Sequence, residues 1–446
     1  MSEKLYSGKK GYAMKNTVIA FICAFLMLAS TKSHADLNVL DFGAAGDNTT
    51  DNTSAFQAAL DKAGIRGETV HVPAGQYRFD GTLTIPQGVA LEGTWEGPHQ
   101  PLIDKGSALF IYGGRDQEDS DPFIILSTNS TIKGLTLYYP EQQFPDIRPY
   151  PWTIQRRGRT RCNMIDLAIA NAYNGIDCGT YGGGGHHLRN IDMMCARRGI
   201  YIDRTFDIGR TENVHMHPLS WIYDSDVNER ESWDYFLKNF EGFIIGRCDW
   251  EYMNNCFVIF PRVGFKFIET PYREGERRGI VDGANILITH SGSDLGLLAV
   301  EVNVITDHAG IAFENCQFMS GIEINETNTG SVKLTNCGFW GVSRTGSCVI
   351  NKGKGTLFIN SCHFCAWDDE RFRPGYVWDP KVPFVDIFDG TLIMNSCSFQ
   401  DEENTPYAHI RIGKNAKATV IGNTCEETVL RIDNQSKQAR IIGNLD

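Results

Sequence analysis

The sequence predicts an all-β fold, a parallel β-helix in which short strands stack as a solenoid beneath an N-terminal capping helix. Three observations predict it. Four tetrapeptides repeat one pattern: Asn315-Cys316-Gln317-Phe318, Asn336-Cys337-Gly338-Phe339, Ser361-Cys362-His363-Phe364 and Ser396-Cys397-Ser398-Phe399, spaced 21, 25 and 35 residues apart. Repeats of this size mark a solenoid, because one unit alone cannot bury its apolar face. Helical periodicity is nearly absent between 160 and 446, apart from 227–240. The chain also has 45 glycines but only 16 prolines, and its short apolar runs are closed by Gly, Asn, Asp or Thr, as strands and turns are.

Residues 1–35 are expected to lie outside the fold. Lys9, Lys10 and Lys15 form a basic region, Thr17 to Leu28 is apolar but short for a bilayer span, and Ser33-His34-Ala35 offers small residues for cleavage. That is the layout of a signal peptide cleaved after Ala35. A secreted or periplasmic protein without a membrane span is expected. The leader holds five of the 42 basic and one of the 54 acidic residues, leaving a net charge of −16 on the remainder. So acidic a chain is a poor nucleic-acid binder. Residues 36–446 read as one domain, with loop or helical insertions near 139–160 and 225–240.

At the N-terminus, Asp51-Asn52-Thr53-Ser54 enters a short amphipathic helix through Leu60 that Gly64 ends. Val70 to Tyr77 reads as a strand and turn, and Thr82 to Ile85 and Val89 to Gly93 as further strands. The helix would cover the open end of the solenoid and keep its first rung from edge pairing. This segment, Val39 to Gly93, resembles the opening of the pectate-lyase-like and rhamnogalacturonase-like β-helix superfamily. The resemblance implies a right-handed β-helix whose long groove binds a glycan. Members include lyases, hydrolases, epimerases and viral tailspikes, so the reaction stays open. The hydrolase branch's Asn-Thr-Asp, paired-Asp and Gly-His-Gly motifs are missing here, and the leader speaks against a tailspike.

The repeat continues upstream as Asn190-Ile191-Asp192-Met193, Asn213-Val214-His215-Met216, Arg247-Cys248-Asp249-Trp250 and Asn285-Ile286-Leu287-Ile288, and more weakly as Met164-Ile165-Asp166-Leu167. Alternation along a strand then assigns an inward slot to Ile165, Ile191, Val214, Cys248, Ile286, Cys316, Cys337, Cys362 and Cys397. Cysteine in that slot is a small apolar core residue. The twelve cysteines after the leader are therefore read as a mostly unpaired ladder, in preference to the disulfide framework that an even number in an exported chain would suit. Cys362-His363-Phe364-Cys365 has no second pair and is weak evidence for metal.

Ionisable residues crowd one region. From Arg148 to Arg210 there are ten arginines and five acids, and His186, His187, His215 and His217 lie close by. Guanidinium groups suit uronate or sulfate, so an acidic polysaccharide is the expected partner. The repeat alignment stacks Asp166, Asp192, His215 and Asp249 as one outward column about 4.8 Å per rung, with His217 beside Glu251 in the next and Asp177, Tyr201 and Tyr223 on the following strand. Two reactions compete. In β-elimination at a uronate, by a lyase or dehydratase type of enzyme, His215 or His217 takes the proton beside the carboxylate, Arg204 and Arg210 neutralise it, and Tyr223 protonates the leaving oxygen. His187, Tyr201 and Glu251 join the substrate-binding set. In inverting hydrolysis, Asp192 and Asp249 flank the bond. Elimination is preferred because arginine and histidine share the same rungs; a non-catalytic glycan-binding β-helix is the third reading. No metal ligand is assigned. Trp367-Asp368-Asp369-Glu370 raises Ca2+ as a cofactor, with solvent exposure the preferred reading.

Overall fold

The computed structural model describes residues 37–97, 99–276, 282–340, 346–365, 382–400, 407–426 and 429–445. The expected leader and the acidic run at 367–370 lie outside them. Up to the last coil, strands pair in parallel with the strand one coil further along, and three strand faces make up a coil. On the first face one inward column runs Val70, Leu91, Ile132, Met164 and Leu188, then through Met253, Ile288 and Phe313 to Val420 and Ile441. On the third it runs Leu83, Ile124, Ile154, Ile176, Ile200, Phe243 and Phe265 and onward to Ile410. Apart from Ile441 at the C-terminal end of the stack, these residues are almost wholly buried, so period-2 alternation holds one side of each strand dry.

A left-handed residue turns the chain from the first face to the second. The positions are Gly134, Asp166, Asn190, Asn213, Asn255, His290, Asn315, Asn336, Ser361 and Ser396, with φ between 49° and 70°. Asparagine and aspartate tolerate this conformation because their short polar side chains bond locally. Here they bond along the stack: Asn190 donates to Asp166 at 2.8 Å, Asn213 to Asn190 at 3.0 Å, and Asn255 to Asn213 at 2.8 Å.

The residue after the bend fills the inward slot. Ile191, Val214, Cys316, Cys337, Cys362 and Cys397 occupy it as expected. Three assignments are corrected. Ile165 lies before the bend, half-buried beside Lys133 and Arg189, and Leu167 takes the slot. Cys248 and Ile286 are buried but belong to the first face, where Cys248 pairs with Ala284 and Ile286 with Ile311. Cys256 and Ser291 fill the slot in those coils, and the Cys256 amide donates to the Ser291 hydroxyl at 3.0 Å. Two residues beyond the slot, Phe318, Phe339, Phe364 and Phe399 stack on the second face with centroids 5.3, 4.7 and 4.9 Å apart. All twelve cysteines lack a disulfide, and ten are buried.

The expected helix forms at Thr53–Gly64 and buries Phe56, Ala59, Leu60 and Ala63. Phe56 meets the rings of Tyr77 and Phe79 edge-on at 5.3 and 4.9 Å. A second helix, Glu229–Asn239, starts where the Asn228 side chain accepts from the Arg230 amide at 3.0 Å. Its buried Phe236 packs on Phe144 and Trp221, joining this insertion to the loop at 139–151. That loop is shorter than expected, because Trp152–Arg156 is a third-face strand of the stack.

Candidate active site

The bend sets which side chains leave the coil. One residue past the inward slot, the second face points outward, and register stacks Thr136, Ala168, Asp192, His215 and Phe257 there. The sequence-predicted neighbours Asp192 and His215 are brought together. Asp166 and Asp249 are not in this column. Asp166 is the bend residue itself and accepts from Asn190. Asp249 precedes Trp250 on the first face, its amide bonded to the Thr205 carbonyl at 3.1 Å. His215 therefore lies between one carboxylate and an aromatic ring, Phe257, whose centroid is 6.3 Å away.

A pocket of about 410 Å3 opens over this column, lined by Asp192, Asn213, His215, Asn255 and Phe257 together with His99 and Gln100. His99 comes from the irregular loop at 93–106. Its ring stacks on Trp95 at 4.5 Å, and its Nε2 lies 3.4 Å from Thr136 Oγ1. Burial lowers its pKa, opposed by the Asp166 charge. The loop can lie this close because Gly97 has no side chain: a Cβ there would meet the Asp166 backbone at 3.2 Å. Sequence spacing carried no signal for His99. Phe257 was legible in Asn255-Cys256-Phe257-Val258, which matches the repeat better than the copy at Arg247.

Asp192 is nearly buried and accepts a hydrogen bond from the Ser220 hydroxyl. Burial raises its pKa, against the Ser220 bond and the His215 charge. His217 lies 5.2 Å from His215, ring to ring. Its Nδ1 accepts from the Leu219 amide at 2.9 Å. Burial, then the neighbouring His215, lowers its pKa to about 4. At neutral pH it is an uncharged imidazole carrying its proton on Nε2, which makes it a donor and leaves no nitrogen free to take a proton.

The other expected residues are dispersed. Glu251 is not beside His217: it lies inside the coil, fully buried, with His186 Nε2 3.0 Å from its Oε1. Asp177 and Tyr201 do share a third-face column, but Asp177 accepts from Gln155, Gly179 and Thr180, and Tyr201 donates to Asp203 at 2.7 Å. The column continues to Ile244, not Tyr223. Tyr223 sits in the helical insertion, accepting from Ser232 at 3.3 Å and facing Phe144, with its pKa raised to about 12 by burial. Arg204 is held by Asp203 at 2.6 Å and Glu276 at 3.6 Å. Arg148, Arg157, Arg197 and Arg198 also pair with acids. Arg210 is exposed on the first face, between His187 and Tyr252 in register. Arg210 and its exposed neighbour Arg189 make no ion pair among the described residues. His187 lies 3.4 Å from Glu212. No cluster of three potential metal ligands occurs among the described residues.

Comparison with known proteins fits this architecture. Residues 37–134 match the family described as rhamnogalacturonase A/epimerase, pectate lyase-like. The chain is a right-handed parallel β-helix whose N-terminal segment is similar to that family. Among solved structures, this β-helix is similar to the N-terminal fragment of bacteriophage Phi29 gene product 12, with a TM-score of 0.56, 13% identity, and 96% and 75% of the two chains covered. It is also similar to DFA-IIIase from Arthrobacter chlorophenolicus A6 without its lid, with a TM-score of 0.50, 11% identity, and 90% and 98% covered. Both likenesses concern the fold alone. In sequence it is 42% identical over 110 residues to mannuronan C5-epimerase AlgE6 of Azotobacter vinelandii, 23% of this chain and 12% of that protein. It is 46% identical over 72 residues to alginate lyase 7 of the same organism, 14% of this chain and 8% of the lyase. The chain thus matches only a small part of these relatives' length.

Proposed function

We propose that this β-helix is an exported enzyme that acts on an acidic, uronate-containing polysaccharide by removing the proton next to the sugar carboxylate, with His215 as the base. The observation that carries the reading is the pocket itself. His215 stands over it beside a buried carboxylate, Asp192, and a second histidine, His99, reaches in from another segment. Asp192, one rung away in register, stabilises the His215 charge once the proton has arrived. Arg189 and Arg210, two exposed guanidiniums without an ion pair among the described residues, suit the carboxylates of a bound chain.

In the preferred β-elimination, His215 takes the C5 proton, the C–H electrons form the C4–C5 double bond, the C4–O4 bond breaks, and the leaving oxygen gains a proton. Tyr223 is a poorer source of that proton than the sequence suggested, since its partners are Phe144 and Ser232. His217 Nε2, on a neutral ring 5.2 Å from the His215 ring, can hydrogen-bond that oxygen while water supplies the proton. A second reading is C5 epimerisation, which removes the same proton and returns one from the opposite side. It is favoured by the partial similarity to mannuronan C5-epimerases, and His99 would supply the second proton-transfer group. Inverting hydrolysis through Asp192 and Asp249 loses its geometric basis, because Phe257 holds the place assigned to Asp249.

The test is incubation with mannuronan, polygalacturonate and other uronans in deuterated water. Elimination raises absorbance near 235 nm and reducing ends together. Epimerisation raises neither but places deuterium at an inverted C5. Reducing ends without absorbance or deuterium would mean hydrolysis and end the proton-abstraction reading.

A further inference from the structure

We propose that Trp250, Tyr252 and Arg210 form a second glycan-binding platform, outside the His215 pocket, that holds an acidic polysaccharide on the first face of the coil. The inference rests on the reading that the substrate is an acidic glycan. Trp250 is 52% exposed and Tyr252 37% exposed. Their rings lie 6.3 Å apart and only 24° from parallel, so together they offer one flat apolar surface to solvent. Neither ring fills the core, which on this face is closed by Met253 and its column.

The backbone strengthens the case. Trp250 has φ 55° in a bulge where the register shifts between Cys248 and Glu251, a feature that re-aims a side chain and is separate from the bend between faces, which Asn255 makes five residues later. Residues held in such conformations cluster at binding and catalytic sites. Register then puts Arg210 directly beside Tyr252, one rung away. Arg210 makes no ion pair among the described residues, whereas neighbouring Glu212 faces His187 at 3.4 Å. Aromatic faces stack on the C–H faces of sugar rings, and an unpaired guanidinium takes up a carboxylate in bidentate fashion. Tyr252 is three residues before Asn255, which lines the pocket; by strand rise that is about 10 Å, roughly two sugar units. A polysaccharide long enough to reach both would be held at the platform while one residue is processed at His215.

The experiment measures affinity and turnover for short and long oligomers of mannuronate, galacturonate and glucuronate, with a neutral oligosaccharide as control. Trp250→Asn removes the ring but tolerates the left-handed backbone, and Trp250→Phe keeps a ring. Trp250→Asn and Arg210→Gln are each expected to weaken the best long oligouronate roughly tenfold and leave the thermal midpoint near that of the wild type, and Trp250→Asn is expected to leave kcat on the shortest substrate unchanged. Trp250→Phe should keep most of the affinity. Wild-type affinity in Trp250→Asn would overturn the platform, as would an equal loss for the neutral glycan or a wild-type protein that binds no uronate. Binding that depends on Trp250 without any turnover would instead sustain the platform and defeat the proposed reaction.

Discussion

His215 lies on the strand Gly209–Met216 and His217 just beyond its end, and their surroundings give them different work. The Leu219 amide occupies His217 Nδ1, and burial keeps that ring neutral down to about pH 4. Among the described residues His215 has no such backbone tether, and it stands next to Asp192 in register. His215→Ala should therefore lose activity by about 10²- to 10⁴-fold, the usual worth of a general base, with the fold retained. His217→Gln, which keeps a donor, should retain much of the rate, and Asp192→Asn should fall between the two. Steady-state kinetics on the best uronan rank the three, and an active His215→Ala enzyme would end the assignment. An acid limb with a midpoint well above pH 4 would also belong to a group other than His217. A second prediction concerns Asp294. Its Oδ1 is buried without a partner among the described residues, and burial raises its pKa to about 6. The folded state thus holds this proton more tightly than the unfolded state. Stability from this group is highest below about pH 4 and is lost as pH rises through 6. Asp294→Asn should stabilise the protein at pH 7 by about 3 kcal/mol at most, and the gain should vanish near pH 4. Urea unfolding at both pH values measures it.

At the scale of the element, the bend between the first and second faces explains both what the sequence made legible and what it hid. The repeat Asn-Cys-x-Phe was visible because its four positions have four separate physical roles, namely a left-handed turn, an inward slot, an outward residue and an inward ring. The alignment failed where the turn residue changed identity. Asp166 replaces asparagine, so the copy begins at Asp166-Leu167-Ala168-Ile169, two residues later than Met164. His290 does the same in a later coil. Arg247-Cys248 imitates the motif with a buried cysteine on another face. A shift of two residues preserves the inward and outward pattern, so hydrophobicity could not detect it. The false copy at Arg247 likewise placed Asp249 in a column it does not share. The pairing of Asp192 with His215 survived because both of their copies begin with asparagine. His99 was illegible for another reason, since loop residues carry no period. The bend also makes a stability prediction. Asn213 holds φ 52° and bonds to both neighbours in its ladder. Asn213→Ala should cost about 2 kcal/mol, combining the left-handed penalty with a lost hydrogen bond. Asn213→Gly, free of that penalty, should cost about half as much. Thermal or urea unfolding of the two variants separates backbone strain from side-chain bonding.

Across the whole molecule, the coil repeats one cross-section from end to end, and the cysteines show what that implies. Cys316, Cys337, Cys362 and Cys397 lie one above another, each with its thiol directed at a backbone carbonyl of the preceding coil. Neighbouring rungs are close enough for a disulfide by backbone spacing alone. Access opposes one. Thiol oxidation proceeds through the thiolate; burial pushes the thiols of Cys256 and Cys348 up to about 12, but bonds from neighbouring thiols lower those of Cys337 and Cys397, so it is shielding that protects the ladder. The coil interior also has no room for an oxidant, since the Phe318 to Phe399 stack fills the space two residues further along. The protein should thus keep its thiols reduced even in an oxidising compartment, because the fold shields them. The native protein should react slowly with a thiol reagent, beginning at the half-buried Cys365 and Cys425. After denaturation without a reductant, the twelve cysteines should titrate almost completely. Reaction should also switch on at the same urea concentration at which the β-sheet signal collapses, because a solenoid coil cannot expose its inward slot without losing its pairing to the next. Finding most of the twelve already oxidised in the denatured sample would replace the ladder with a disulfide framework. Full reactivity well below the unfolding midpoint would mean that individual coils open independently, and the stack would then be a chain of weakly coupled units and not one cooperative column.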